Sequence, residues 1–312
     1  MEKFLVTGGA GFIGSNICRK LVSQGCFVRV LDNLLTGKKS NLAGIIEKIE
    51  FVEADMGDAE VARVAMRDID VVLHQGALPS VPRSVDDPAL THRHCVDATF
   101  TLLMAARDAK VKRFVYAASS SAYGDAPTSP KVETMPCNPL SPYAVGKLVG
   151  EYYCSVFAKV FDLGTISLRY FNVFGPYQDP ASQYAAAIPA FVTAILKNQP
   201  PTIYGDGEQS RDFTYIDNVV EANLLAARAR QTSGQVVNIA CGQAITVNAI
   251  IAMINQLLGK EVKPLYAPAR PGDVKHSLAD ITLAGKLIGF KPKVQFREGL
   301  ERAIRWYSDN LL

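Results

Sequence analysis

A strand that runs straight into a glycine loop and then into a helix constrains this chain more than any other feature. Lys3–Thr7 is apolar and β-rich, and Gly8, Gly11 and Gly14 follow at three-residue spacing. Ile13, Ile17 and Leu21 then recur every four residues and stripe one helix face. Glycines at those places let the backbone turn tightly and approach a pyrophosphate that lies on the helix N-terminal dipole. Five further β-rich runs, 27–31, 49–53, 69–74, 113–118 and 164–169, alternate with helix-like segments. Such strands predict a parallel sheet covered on both faces, with right-handed crossovers and a ligand crevice at the strands' carboxyl ends. The fold class is α/β: a Rossmann-type, doubly wound parallel sheet with a smaller, interleaved α/β substrate domain.

The second half is less regular. Residues 172–207 are rich in Pro, Gly and Tyr around one helix-like stretch at 188–197, after which 212–228 reads as helix and 236–240 as strand. Val247–Leu258 and 298–310 read as helices that close the chain. The expected division is a dinucleotide domain over 1–171, to which 212–240 returns, and a substrate domain built from 172–211 and 241–312. Composition narrows the class further. Lys plus Arg number 33 against 30 for Asp plus Glu, and the resulting +3 is too small to point to nucleic acid or an anionic membrane as partner. The six cysteines form no Cys-x-x-Cys pair and no His–Cys cluster at metal spacing, so reduced thiols and no metal are expected. With no signal-type leader and no apolar run of membrane length, the expected location is cytoplasmic.

Asp32 closes the second strand 24 positions after Gly8, near the spacing at which a carboxylate accepts the ribose 2′-hydroxyl of NAD. A 2′-phosphate would be repelled there, which favours NAD over NADP, although Lys38 and Lys39 lie close by. The alternative for Asp32 is a turn residue before Asn33. Asp55 either meets the adenine edge or caps a helix ahead of Met56-Gly57-Asp58. Tyr143 and Lys147 offer the chemistry. Pro142 suits a first helical turn, and residues four apart then share a face with about 6 Å between their Cβ atoms. A free phenol titrates near ~10, so general-base work near neutrality needs a depression of roughly 3 units. Lys147 and a cationic nicotinamide would supply it jointly. Upstream, 113–118 runs into Ser119-Ser120-Ser121, where a strand-end hydroxyl can bridge Tyr143 and a substrate oxygen.

The glycine loop, Ser119, Tyr143-x-x-x-Lys147 and Arg169-Tyr170-Phe171-Asn172-Val173-Phe174-Gly175 resemble the extended short-chain dehydrogenases/reductases, and among them the nucleotide-sugar 4-epimerases. The likeness continues through 76–84, Gln178-Asp179-Pro180, Ser210-Arg211-Asp212-Phe213 and Arg270-Pro271-Gly272-Asp273. It implies an isomerase that inverts C4 of a UDP-hexose. Tyr143 would take the proton of the 4-hydroxyl while hydride passes to NAD, and Ser119 would hydrogen-bond the same oxygen. The 4-keto sugar would then turn over and take the hydride back on its other face. By the same resemblance NAD is held by Gly8, Gly11, Phe12, Ile13, Gly14, Asp32, Asn33, Thr36, Gly37, Asp55, Met56, Gln75, Gly76 and Ala77, together with Tyr143 and Lys147.

For the substrate, the resemblance implies Ser80, Arg83, Ser84, Ser119, Ser120, Ser121, Tyr143, Asn172, Ala187, Tyr204, Arg211, Arg270, Asp273 and Ser277. Arg211 and Arg270 would grip the diphosphate through their planar forks, and Asp273 would meet the uridine ribose. Ser277 lies seven positions after Arg270, where a bulky Tyr excludes N-acetyl sugars and a small residue admits them. It therefore favours UDP-N-acetylglucosamine/UDP-N-acetylgalactosamine, alongside UDP-glucose/UDP-galactose. A homodimer paired through helices around 99–109 and 143–159 is also implied. Two positions depart from the family pattern. Cys95 replaces an Asn that touches the nicotinamide region, and Gly146 replaces Ser or Thr before Lys147, at up to ~1 kcal/mol in a helix interior. Dehydratases of this family carry Asp-Glu just after the Ser119 position, where this chain has Ser120 and Ser121. UDP-glucuronate 4-epimerisation and a non-catalytic NAD-binding sensor are the remaining alternatives. Of the histidines, His74 reads as a packing residue, and His276, beside Ser277, as a possible substrate contact.

Overall fold

A computed structural model describes residues 1–180, 186–230, 232–269 and 275–311. The first half alternates strand and helix: β1 Lys3–Thr7, α1 Phe12–Ser23, β2 Phe27–Asp32, β3 Glu50–Glu53, α2 Ala59–Ala65 and β4 Val71–His74. Then come α3 Val81–Asp86, α4 Pro88–His92, a π-helical turn Arg93–Asp97, α5 Ala98–Asp108, β5 Arg113–Ser119, α6 Pro142–Phe161 and β6 Thr165–Tyr170. All six strands expected from the sequence are present, with ends moved by a residue or two. The second half adds β7 Val173–Phe174, α7 Ala187–Leu196, β8 Thr202–Tyr204, β9 Ser210–Asp212, β10 Thr214–Tyr215, α8 Ile216–Ala227 and β11 Gln235–Ile239. It closes with β12 Ala244–Thr246, α9 Val247–Leu258, β13 Leu265–Ala267, β14 His276–Ser277, α10 Thr282–Ile288 and α11 Phe296–Leu311.

Among the described residues, seven strands form one parallel sheet in the order β11-β6-β5-β4-β1-β2-β3. The order reverses between β1 and β4, so their carboxyl ends flank the crevice where such sheets bind ligands. β4 and β6 are buried along their whole length; β4 reads as an apolar run up to His74, whereas β6 alternates Thr165, Ser167 and Arg169 with Ile166, Leu168 and Tyr170 although both of its faces are covered. One face of the sheet packs on α2, α5 and α6 through Leu5, Val72, Phe114, Leu102 and Phe157. The other packs on α1 and α8 through Val6, Val30, Ile17 and Val219. That second core continues without a break into Ile250, Ile254, Phe296 and Leu300 of the C-terminal helices.

The chain leaves the large sheet after β6, returns with α8 and β11, and leaves again. The helix expected from 212 begins only at Ile216, because Thr214 and Tyr215 are taken up pairing with Val173 and Phe174. β9 lies between antiparallel β12 and parallel β14, bringing Ser277 opposite Arg211. Asp212 locks this crossing: its carboxylate accepts from Cys241 N at 2.9 Å, Gly242 N at 3.0 Å and Ala279 N at 3.3 Å.

Candidate active site

The glycine loop is closed on itself. Gly11 N donates to Gly8 O at 3.1 Å, and a Cβ at position 14 would stand 2.2 Å from that same oxygen. Only a bare backbone fits, and it opens the N-terminus of α1 onto a cavity of about 970 Å³. Of the NAD contacts expected from the resemblance, all but Asp55 line this cavity. Asp32 is a turn residue and also stands on the cavity wall. Its carboxylate accepts from Leu34 N at 2.8 Å as a turn residue and from Ala10 N at 2.9 Å, while still lining the cavity; burial pushes its pKa up. Lys38 is bonded to Asp179 at 2.6 Å, so it is not held ready for a 2′-phosphate. Asp55 lies outside the lining, between Ala54 and Met56, which belong to it. Its carboxylate is exposed and accepts from Gly57 N at 2.8 Å, and the helix cap expected there is supplied by Asp58, which accepts from Glu60 and Val61.

At the other end of the cavity stand Tyr143 and Lys147. Ser141 accepts from Ala144 N at 3.2 Å and Pro142 fills the first turn, which fixes where α6 begins. Lys147 is buried and donates to Ala117 O at 2.8 Å, with its Nζ 5.0 Å from the centre of the Tyr116 ring. Ser119, at the carboxyl end of β5, is near enough to Tyr143 to pull the pKa of its phenol down. It also caps a 3-10 turn over Ser120–Tyr123, accepting from Ser121 N at 3.2 Å and from Ser121 Oγ at 2.8 Å. The expected depression of the phenol is not a property of the chain by itself. Burial pushes Tyr143 up, nearby Cys95 adds to this, and only Ser119 opposes them. Burial likewise pushes the Lys147 amine down. Desolvation penalises whichever form is charged, and it is the largest influence on both groups.

The substrate set is divided. Ser80 and Asn172 line the cavity, and Asn172 donates to Asp212 O at 2.9 Å, tying the cavity wall to β9. Ser84 is a correction: it is fully buried and its hydroxyl donates to Val81 O of its own helix at 2.7 Å. Ala187, half-buried at the start of α7, follows Ala186, which lines the cavity. Arg83, Ser119, Ser120, Ser121, Tyr204, Arg211 and Ser277 lie outside the cavity lining. Arg211 donates to the backbone carbonyls of Ser210 at 3.0 Å and Lys275 at 3.1 Å. Arg270 and Asp273 lie outside the described residues.

The two departures from the family pattern touch each other. Cys95 is buried on the π-helical turn, and a Cβ at position 146 would be 3.0 Å from its Cβ. Gly146 therefore lets the turn lie directly on α6. His74 is a satisfied packing residue, bonded to Thr7 at 2.7 Å and Thr99 at 2.9 Å. His276 bonds Ser210 at 2.9 Å. The cavity also has walls that the sequence did not mark, among them His94, Tyr177, Trp306 and Asn310. Only the four-residue spacing of Trp306 and Asn310 on one helix face was there to be read. Among the described residues, no group of three or more His, Cys, Asp or Glu side chains is placed to hold a metal, and no helix is long and apolar enough to cross a membrane.

A glycine cradle on a doubly wound sheet, a carboxylate closing β2 and a Tyr–Lys pair beside a strand-end serine define a dinucleotide-dependent enzyme of the short-chain dehydrogenase/reductase kind. The NAD dependent epimerase/dehydratase family matches residues 4–240, and the chain belongs to it. The UDP-glucose 4-epimerase of Mycolicibacterium smegmatis is 37% identical over 98% of each chain. The UDP-N-acetylglucosamine 4-epimerase of Methanobrevibacter ruminantium, solved with UDP-N-acetylmuramic acid, is 40% identical, with a TM-score of 0.94 over 99% of this chain and 98% of that one. The UDP-glucose 4-epimerase of Thermus thermophilus, solved with NAD, is 35% identical, with a TM-score of 0.90 over 99% of each. The protein is an NAD-dependent nucleotide-sugar epimerase.

Proposed function

We propose that this enzyme interconverts UDP-N-acetylglucosamine and UDP-N-acetylgalactosamine by inverting C4, and that it also accepts the UDP-glucose/UDP-galactose pair. The observation that carries the reaction is the Tyr143 phenol, near Ser119 and one helical turn from buried Lys147, at the far end of the cavity from the glycine cradle. Gly8, Gly11, Gly14 and Asp32 would hold NAD, which when bound supplies the hydride acceptor and a positive ring charge. Tyr143 takes the proton of the 4-hydroxyl and later returns it, while Ser119 holds the reacting oxygen. Lys147 and the ring charge together offset the cost of a buried phenolate. Without carboxylates at 120 and 121, the chain has no acid–base pair there for eliminating water.

Arg211 and Arg270 suit the diphosphate, as planar forks do. Ser277, small and opposite Arg211 across β9 and β14, leaves room for an N-acetyl group. Incubating the purified protein with each UDP-sugar and separating the C4 epimers tests the reading; absence of epimerisation on every UDP-hexose would refute it. A homodimer is part of the same proposal. α5 and α6 expose Phe100, Tyr152, Val156, Val160 and Phe161, an apolar surface that a second copy would cover.

A further inference from the structure

Tyr143, Lys147 and Glu151 follow one another at four-residue steps along α6, so all three share the face turned to β5 and β6. Glu151 is 2% exposed and Arg169, its partner on β6, 3%. Arg169 donates to the two carboxylate oxygens at 2.8 and 2.6 Å, a bidentate pair. The guanidinium also lies 4.6 Å from the centre of the Tyr123 ring and donates to Cys137 Sγ at 3.1 Å. On the neighbouring strand Arg169 pairs with Ala118, and the next pair is Tyr170 with Ser119. The ion pair is therefore built in directly behind the strand end that carries Ser119.

A buried ion pair is a weak source of stability, because desolvation offsets the attraction. The row of charges gives it another use. With the phenol neutral, Lys147, Glu151 and Arg169 leave one positive charge in excess, and an ionised Tyr143 cancels it. We propose that Glu151 and Arg169 are positioning residues: Arg169 fixes the Glu151 carboxylate behind Lys147, and that carboxylate keeps Lys147 an ammonium directed at Ala117 O and Tyr143. The groups that act on Lys147 are Cys95 from the π-helical turn, Cys154 and Glu151 from α6, Tyr116 from β5 and His74 from β4, with Tyr143 one turn earlier on α6. Burial pushes Tyr116 and Cys154 up and His74 well down, so these three are neutral near pH 7. Cys95, Cys154 and Glu151 all oppose the burial that drives Lys147 down; Glu151 is the carboxylate among them, and Arg169 and Lys147 oppose the burial that pushes its own pKa up.

The proposal rests on the epimerase reading, and its test separates the two. The dependence of kcat on pH is measured with a saturating UDP-sugar. The titration of Lys147 is followed by NMR on 13C-lysine protein, its resonance assigned by loss in Lys147→Met. In Glu151→Gln both the alkaline limb and the lysine titration should move about one unit lower, a roughly 10-fold loss on that limb. KM should stay within about twofold, and Glu151→Asp, which keeps the charge, should restore both. An unmoved titration and limb in Glu151→Gln would overturn the proposal. Should Glu151→Gln not fold, Glu151→Leu with Arg169→Met leaves no unpaired charge and is judged by the same two readings. A wild-type protein that epimerises nothing would refute the function instead, and the lysine titration would still decide the positioning role.

Discussion

One phenolic oxygen carries the chemistry at the scale of the residue. Tyr143→Phe removes that oxygen and keeps the ring, so the fold and NAD binding should persist while turnover falls more than ~100-fold. A sensor that merely binds NAD would lose nothing, and paired measurements of NAD binding and epimer formation distinguish the two. At Ser277 the quantity to read is selectivity. Ser277→Tyr should depress turnover of N-acetyl sugars while sparing UDP-glucose, and equal losses on both would remove Ser277 from sugar choice. Tyr143, Lys147 and Asp32 were legible because a helix turn and a strand end fix where such side chains point. Ser84 was misread because a motif position does not say which face of a short helix is buried. His94 was not legible at all. It lies in a π-helical turn, whose extra residue breaks the 3.6-residue repeat and changes which side chain meets the cavity.

Helices and strands were legible to the extent that burial made them so. A buried parallel strand such as β4 advertises itself as an apolar run, and helix α9 was read with both ends correct because its apolar stripe is strong. The start of α8 was misplaced because a two-residue strand has too few residues to leave a pattern. α6 does two jobs. One face carries Tyr143, Lys147 and Glu151 toward the sheet, while Tyr152, Val156 and Val160 are 61%, 47% and 66% exposed on another. A charge placed there should leave the inner face untouched. Val156→Glu with Tyr152→Glu is expected to convert the proposed dimer to monomers in sedimentation velocity, with circular dichroism unchanged. Sedimentation of the wild type as a monomer at micromolar concentration would dispose of the dimer.

Which distant loops meet is a property of the whole molecule, and local sequence carries almost no trace of it. The loop after β2, the loop after β7 and helix α11 come together over one end of the cavity. Tyr177 lies between Arg19, 4.5 Å from its ring centre, and Trp306, whose ring centre is 5.2 Å away. Tyr307 donates to Gln178 O at 3.0 Å, which pins the second loop to the C-terminal helix. Lys38 and Asp179, both lining the cavity, then bridge the two loops at 2.6 Å across 141 residues of sequence. An enzyme that regenerates its cofactor in every cycle gains from holding it, and this bridge ties together two loops that line the cavity. The bridge is exposed, so its worth is modest, about 0.5–1 kcal/mol. Asp179→Asn should therefore release bound NAD about two- to fivefold faster, as followed by exchange with labelled NAD. Raising salt should speed release from the wild type, because exposed charges are screened, and leave the variant nearly unaffected. Equal release rates and equal salt responses in the two proteins would mean that the apolar contacts of Tyr177 and Trp306 hold the roof alone.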